Sequence, residues 1–411
     1  MPEFLELLPP GQALDLWLQT LPAGEPNGEL IPLVTALNRV LVRPVIASES
    51  LPPFQRSTVD GYAVRASDTY GSSDTLPGYL RLIGEVPMGA APAFDVQAGS
   101  AAVIHTGGML PVGSDAVVML ENVQSTGGVE IEVLRAVAMG ENVLQAGEDV
   151  RPGQVILEKG VRLRPPEIGG LAALGILQVV VAKAPRIAVL SSGDEVVPPA
   201  QIPGPGQVRD VNSYSLSALI EQAGGIAVRY GILPDNANAF ETALRRAMDE
   251  CDAIVITAGS SASTRDLTAQ MVDQLGRPGV LVHGVNVRPG KPTILAVCNG
   301  KPVIGLPGNP VSALVIAGLF VKPVIHQLLG LPRQRLPMAS ARLAINLPSQ
   351  AGREDWVPAR ITRSAASEWS AEPIFFKSNL IFTLAQADGL IFIPADANGV
   401  AAGDWVQVAW L

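Results

Sequence analysis

The sequence predicts a multidomain α/β protein, and three observations carry that reading. The chain has 411 residues, which suggests about two to four domains because single cores stop growing well below that length. Residues 185–332 alternate strand-like with helix-like runs, the grammar of a parallel sheet with right-handed crossovers and helices on its faces. Two other stretches, 52–147 and 333–411, consist of short β-rich runs cut by Gly and Pro turns, the pattern of small β units.

Taken in order, residues 11–22 and 29–44 read as two helices around the turn Gly24-Glu25-Pro26-Asn27-Gly28. Leu51-Pro52-Pro53-Phe54 is extended, since proline disfavours helical backbone in the residue before it. The runs 79–83, 101–105, 116–119 and 129–134 then give the first β unit. Helical character returns over 149–182, so the β unit reads as an insertion in a helical one. This predicts a helical part formed by 1–51 and 148–184, an inserted β domain at 52–147, an αβ domain at 185–332 and a C-terminal β domain at 333–411. Within the αβ domain the expected strands are 186–190, 227–233, 253–257 and 293–297. The expected helices are 213–223, 238–249 and 267–275. Ligands of such sheets sit at the carboxyl ends of the strands, where this chain places its polar turns.

Composition narrows the function classes. Hydrophobic residues make up 48% and charged ones 16%, so burial is ample and disorder is not expected. The net charge of -9 argues against general nucleic-acid binding, which needs a basic footprint. It leaves room for a small anion in a locally basic pocket. Cys251 and Cys298 lie in or beside apolar strands and read as buried hydrophobes. His105, His283 and His326 lack metal-ligand spacing. The N-terminus carries no basic-then-apolar signal pattern. The apolar helix 311–321 is about half the length of a membrane span. The expectation is a soluble, cytoplasmic protein.

The most informative stretch is Pro289-Gly290-Lys291-Pro292 followed by Gly305-Leu306-Pro307-Gly308-Asn309-Pro310-Val311-Ser312. The second segment opens straight into an apolar helix, whose first N–H groups and positive dipole end favour an anion. Asn309 suits the N-cap and Pro310 the first helical position. Arg288, Lys291 and Arg265 are the matching cations. A second group comprises Ser191-Ser192-Gly193-Asp194-Glu195, Asp235 and the turn 257–266, ending at Asp266. Acidic side chains at neighbouring strand ends repel one another and any anionic ligand. A divalent cation resolves both repulsions, and Mg2+ favours carboxylate and phosphate oxygens. N-capping by Ser191 or Asp194 is the plainer alternative. Two further motifs, Ser57-Thr58-Val59-Asp60-Gly61 and His105-Thr106-Gly107-Gly108, read on their own as ordinary turns.

Together these residues resemble the molybdopterin molybdenumtransferase family (MoeA), related to the E domain of gephyrin. The resemblance runs over nearly the whole chain. It rests on 51–54 leading to 60–65, on Thr106-Gly107 through Pro111 and Gly113 to 115–118, on Gly147-Glu148-Asp149, on Ser192-Gly193-Asp194-Glu195, and on the two Pro-Gly segments. It implies a three-layer αβα domain of molybdopterin-binding type, a C-terminal β-barrel-like domain and an elongated homodimer. The active cleft would combine the β domain of one subunit with the αβ domain of the other. The implied reaction transfers molybdenum from molybdate to adenylylated molybdopterin and releases AMP. Mg2+ is the implied cofactor, and no tightly bound organic cofactor is expected.

Motif by motif, the resemblance implies functional roles for Asp60, Thr106, Asp149, Glu195, Asp235 and Asp266. Glu195, Asp235 and Asp266 would hold the metal. Ser192, Gly193, Asp194, Gly259, Ser260, Ser261, Ser263, Arg288, Lys291, Pro307, Gly308, Asn309 and Pro310 would bind substrate. Two departures stand out. The family's glycine-rich loop is here Gly259-Ser260-Ser261-Ala262-Ser263-Thr264, with one glycine. Arg288 stands where the family's basic turn often begins with lysine, which keeps the charge but changes the donor geometry. Two other readings compete: a molybdopterin adenylyltransferase, and a non-catalytic scaffold of gephyrin type. A molybdopterin adenylyltransferase is also a possible partner protein; nucleic acid and membrane are not expected partners.

Overall fold

A computed structural model describes residues 7–125, 127–234, 236–258, 262–333, 336–363, 368–375 and 377–411. For 258 and 262–267 only the backbone element is described. The chain divides into two compact units. One holds Met1–Glu29, Asn38–Val42 and Val180–Leu411, the other Leu30–Leu37 and Arg43–Val179.

The larger unit is built on a six-stranded sheet. Its order is Ile226–Leu233, Arg186–Ser192, Ala253–Ala258, Lys301–Pro307, Ile294–Cys298, Pro278–His283. The first four strands are parallel; three of them are the expected 227–233, 186–190 and 253–257, and Lys301–Pro307 is a strand the sequence reading did not include. The last two are antiparallel, which corrects the expectation of a wholly parallel sheet. The reason is local. Only Asn299-Gly300 separates Cys298 from Lys301, and both residues take positive φ (51° and 80°). That is a two-residue hairpin turn, whereas parallel neighbours need a crossover of about a dozen residues. The strands are nearly continuous Val/Ile/Leu/Ala runs because both faces are covered. One face carries Leu216, Ile220, Val311, Phe320 and Ile325, the other Phe240, Leu244 and Val272. The helix Pro10–Thr20 joins the first layer: Trp17 is 1% exposed and its indole N–H donates to the Ala296 carbonyl at 2.7 Å.

The apolar helix after Pro310 is longer than the 311–321 expected. It runs Pro310–Leu328 and reaches the length and hydropathy of a membrane span. Its apolar side chains nonetheless pack in the core of this unit, Phe320, Ile316 and Ile325 being fully buried. A π turn occupies Ala317–Val321, just before Lys322-Pro323. Pro323 has no N–H and its ring would collide with the carbonyl of Leu319, and widening that turn accommodates it.

Residues Met338–Leu343, Glu354–Arg363, Trp369–Pro373, Gly389–Ile393 and Trp405–Trp410 form a closed barrel. Glu354–Arg363 pairs with both Trp369–Pro373 and Gly389–Ile393, and Met338–Leu343 with Trp369–Pro373 and Trp405–Trp410. Trp405–Trp410 and Gly389–Ile393 complete the ring. Closure leaves these five strands without an exposed edge.

The smaller unit contains a mixed six-stranded sheet ordered Ala116–Met119, Gly61–Val64, Ser100–Ile104, Gly78–Glu85, Glu130–Val133, Val123–Ser125. All four predicted β runs fall in it. The helix expected over 29–44 does not form. Gly28–Pro32 is a strand and Leu33–Thr35 a short 3-10 turn. Leu30, Val34 and Leu37 imitate a helical apolar stripe, but Pro32 interrupts it, and all three side chains are exposed. In the 149–182 region the helix is Pro165–Ala173, flanked by strands Val155–Leu157 and Gln178–Ala182.

Candidate active site

Two cavities open side by side in the larger unit. The first, about 710 Å³, is cationic: Arg288, Lys291, Arg353 and Lys377 line it, with Ser312 and Ser378. The second, about 580 Å³, is polar, with Ser191, Ser192, Glu195, Asp210, Thr257 and Asn309 in its lining. Arg288 and Lys291 line the cationic cavity together with Ser312 from the first turn of the helix that starts at Pro310. Gly308, Asn309 and Pro310 line the polar cavity, and the basic turn lines the cationic one. The wall between them is made by the start of the helix and by a segment from the barrel side. The N–H of Val311 donates to the Ser378 carbonyl at 3.0 Å, and Asn309 Nδ2 donates to Ser378 Oγ at 3.0 Å. Lys377 and Ser378 face one cavity and Asn379 the other.

The cationic cavity owes its shape to Gly290. Its φ is 117°, and a Cβ there would lie 2.3 Å from Ile316 Cγ1. Only glycine lets the turn sit this close to the helix. Thr293 Oγ1 then donates to the Gly290 carbonyl at 2.7 Å. Arg288 reaches the buried carboxylate of Asp355 at 3.4 Å, and Arg353 reaches the same carboxylate at 3.0 Å. Ser349 Oγ adds a third bond at 2.9 Å. Asp355 pairs with the two arginines, and Lys291 and Lys377 also line the cavity, which leaves it with an excess of positive charge, the setting for a polyoxyanion.

In the polar cavity the strand end Ser191-Ser192 is buried. Ser191 Oγ donates to Asp210 Oδ1 at 3.2 Å, and the same oxygen accepts from the Ser213 N–H at 3.0 Å. Asp210 thus caps the helix Asn212–Ala223 from inside the cavity. Asn212 Nδ2 donates to the Gly308 carbonyl at 2.8 Å, tying that helix to the 308–310 loop. Gly193, at φ 142°, lets the Glu195 carboxylate fold back, since a Cβ would meet Glu195 Oε2 at 2.7 Å. Glu195 lines the cavity; Asp194 is exposed on the same turn. Pro307 ends its strand buried beside Ala258. Asn309 occupies the N-cap position and Pro310 the first turn, as expected, but the Asn309 side chain bonds Ser378 rather than its own helix.

Asp235, Gly259, Ser260 and Ser261 lie outside the described residues. Ser263 and Asp266 fall in the helix Ala262–Gln274, and their side chains, like that of Arg265, are also outside the description.

In the smaller unit the structure brings together the two motifs that read separately as turns. The Gly107 N–H donates to the Ser57 carbonyl and the Ser57 N–H to the Gly108 carbonyl. Asp60 Oδ1 accepts from the Thr106 N–H at 2.7 Å and from its hydroxyl at 3.1 Å. These bonds, with a smaller contribution from His105, hold the Asp60 carboxyl below its ordinary value. His105 stands between two carboxylates, 2.9 Å from Glu85 and 3.8 Å from Asp60. Asp149 is exposed and is placed by its backbone, its N–H donating to the Leu51 carbonyl.

The sequence reading missed Arg353, Lys377, Ser378, Asp210 and Asn212. Asp210 had a legible signal: a carboxylate three residues ahead of Ser213 at the head of an apolar helix is an N-cap pattern. The three barrel-side residues had none, because only tertiary contact carries them to the Pro-Gly turn.

Comparison with known proteins decides the family. Residues 8–175 match the MoeA N-terminal region (domains I and II), 188–327 a probable molybdopterin binding domain, and 340–411 the MoeA C-terminal region (domain IV). The chain belongs to the MoeA family. A molybdopterin molybdenumtransferase 2 of Mycobacterium tuberculosis is 34% identical, over 92% of this chain and 94% of its own length. The molybdopterin molybdenumtransferase of Haemophilus influenzae is 31% identical over 97% of both chains. Among solved structures, a molybdopterin biosynthesis MoeA protein of Pyrococcus horikoshii OT3 superposes with a TM-score of 0.87 at 32% identity. That match covers 99% of this chain and 100% of the other.

Proposed function

We propose that this MoeA-family chain is a transferase of molybdenum-cofactor biosynthesis, inserting molybdate into adenylylated molybdopterin and releasing AMP. The observation that carries the reading is the pair of unlike cavities on either side of one wall. The cationic cavity suits a tetrahedral dianion such as molybdate. The polar one has the size of an ordinary ligand pocket and suits the adenylate.

In this reading Arg288, Lys291, Arg353 and Lys377 hold and orient the oxyanion. Ser192, Gly193, Asp194, Gly308, Asn309 and Pro310 surround the adenylate, with Pro307 shaping the loop and Gly259, Ser260, Ser261 and Ser263 completing the phosphate side. The polar cavity offers oxygen donors, the Glu195 carboxylate and the hydroxyls of Ser191, Ser192 and Thr257. That set fits a hard cation. Glu195, with Asp235 and Asp266, would hold Mg2+, which when bound would offset phosphate charge. Asp60, Thr106 and Asp149 would complete the site from the second subunit of a homodimer. Asp60, kept ionised by Thr106, presents a fixed acceptor to the pterin side. No covalent nucleophile is needed, since positioning and electrostatics carry the rate. The protein would work in the cytoplasm, taking substrate made by an adenylyltransferase.

The test is reconstitution of the purified chain with adenylylated molybdopterin, molybdate and Mg2+. Molybdate-dependent release of AMP together with active cofactor is expected. ATP-dependent adenylylation of molybdopterin would favour the adenylyltransferase reading instead. Neither activity, in a folded protein, would favour the scaffold.

A further inference from the structure

The wall between the cavities contains a hydrogen-bond path that the reaction itself does not require. Asn309 lines the polar cavity and donates through Nδ2 to Ser378 Oγ at 3.0 Å. Ser378 lines the cationic cavity. A serine hydroxyl that accepts one bond keeps one proton to donate. With Asn309 fixed on its acceptor side, the remaining O–H is directed away from Asn309. A donor already accepting a bond is also polarised towards giving its own proton.

From this we infer that Asn309 is a positioning residue. It orients the Ser378 hydroxyl towards the oxyanion and couples the two cavities. The inference rests on the proposed function, with oxyanion in one cavity and adenylate in the other. A ligand bonded to the Asn309 amide in the polar cavity strengthens the Nδ2–H bond to Ser378. Ser378 then donates more strongly to the oxyanion, so each ligand tightens the other. The position of the segment does not depend on this side chain. The Val311 N–H bond to the Ser378 carbonyl, 3.0 Å long, holds the backbone independently. Removing the Asn309 amide therefore frees the hydroxyl to rotate while the wall stays in place.

The experiment is calorimetric titration of the full chain with molybdate, with and without saturating AMP. The variants are Asn309→Ala, Ser378→Ala, the double variant and Lys291→Ala, each checked for folding by its melting curve. Asn309→Ala and Ser378→Ala should each weaken molybdate on the order of fivefold to tenfold, the scale of one hydrogen bond. The double variant should lose no more than Ser378→Ala alone. AMP should tighten molybdate about fivefold in the wild type and have no such effect in Asn309→Ala. Additive losses, a loss under twofold in Asn309→Ala, or AMP coupling that survives in it would overturn the inference. If Lys291→Ala leaves molybdate affinity intact, or the wild type binds none, the cavity assignment fails and the inference with it. If Lys291→Ala weakens binding while the cycle is additive, only the inference fails.

Discussion

Gly290→Ala is the sharpest test of how the cationic cavity is built, and its cost follows from two separate terms. The backbone there has φ 117°, a region that L side chains rarely adopt, which costs on the order of 1–3 kcal/mol. The added methyl would lie 2.3 Å from Ile316 Cγ1 and 2.4 Å from Cδ1. Ile316 is fully buried and cannot swing into solvent, so overpacking adds about 1–3 kcal/mol. The sum is about 2–6 kcal/mol. For a unit of this size that lowers the calorimetric melting temperature by about 2–4 °C per kcal/mol. The second term is separable. Ile316→Ala alone should cost about 2–5 kcal/mol through the cavity it leaves. Combined with Gly290→Ala it should cost less than the sum, because the new methyl enters that cavity. A favourable coupling of about 1–3 kcal/mol is expected. Strict additivity, or a cost under 1 kcal/mol for Gly290→Ala, would refute the close-packing account. Molybdate affinity should fall in Gly290→Ala, since Lys291 is the next residue, and this is read in the same preparations.

Three further outcomes follow from other parts of the molecule. Asp210→Ala removes the acceptor of the Ser213 N–H and of Ser191; it should cost about 0.5–2 kcal/mol in denaturant unfolding and weaken AMP binding. The Asp60 carboxyl is depressed by Thr106, so its link is complete above the ordinary carboxylate value of 3.8. It disappears as pH falls through the lower folded value. An Asp60 carboxyl-carbon resonance that shows the full shift of protonation above pH 5 would contradict this. Burial raises both thiols, Cys298 to about 11; neither should react with a thiol-labelling reagent at pH 8 until the protein unfolds.

Much of the fold was legible because it is written in local pattern. The apolar runs at 186–190 and 253–257, followed by polar turns and helices, placed two of the parallel strands and their carboxyl ends. Asn299-Gly300 was legible too, as a hairpin signal, but a reading based on alternation passed over it. The 29–44 segment misled because Leu30, Val34 and Leu37 keep helical spacing around Pro32, and those side chains stay exposed. The candidate site divides in the same way. Pro289-Gly290-Lys291 and Gly308-Asn309-Pro310 could be recognised singly from their turn and helix-start chemistry.

What the sequence determined by itself was therefore the local inventory: a basic glycine turn, a helix beginning at Pro310, hydroxyls at a strand end, and separate Asp-Gly and Thr-Gly motifs. Each follows from short-range preferences of φ, capping and hydrophobic period. Only the tertiary structure decided how these parts are distributed. Pairing of Val287–Arg288 with Glu354–Asp355 brings Arg353, and the Val311 bond to Ser378 brings Lys377 and Ser378, from positions at least 62 residues beyond Lys291 in the chain, and residue spacing contains no term for such contacts. The same packing sets Ser378 against Asn309, with Ser378 lining one cavity and Asn309 the other. Burial of Asp355 under two arginines is likewise a property of the packed structure, because a carboxylate withdrawn from water needs such partners to offset its lost hydration.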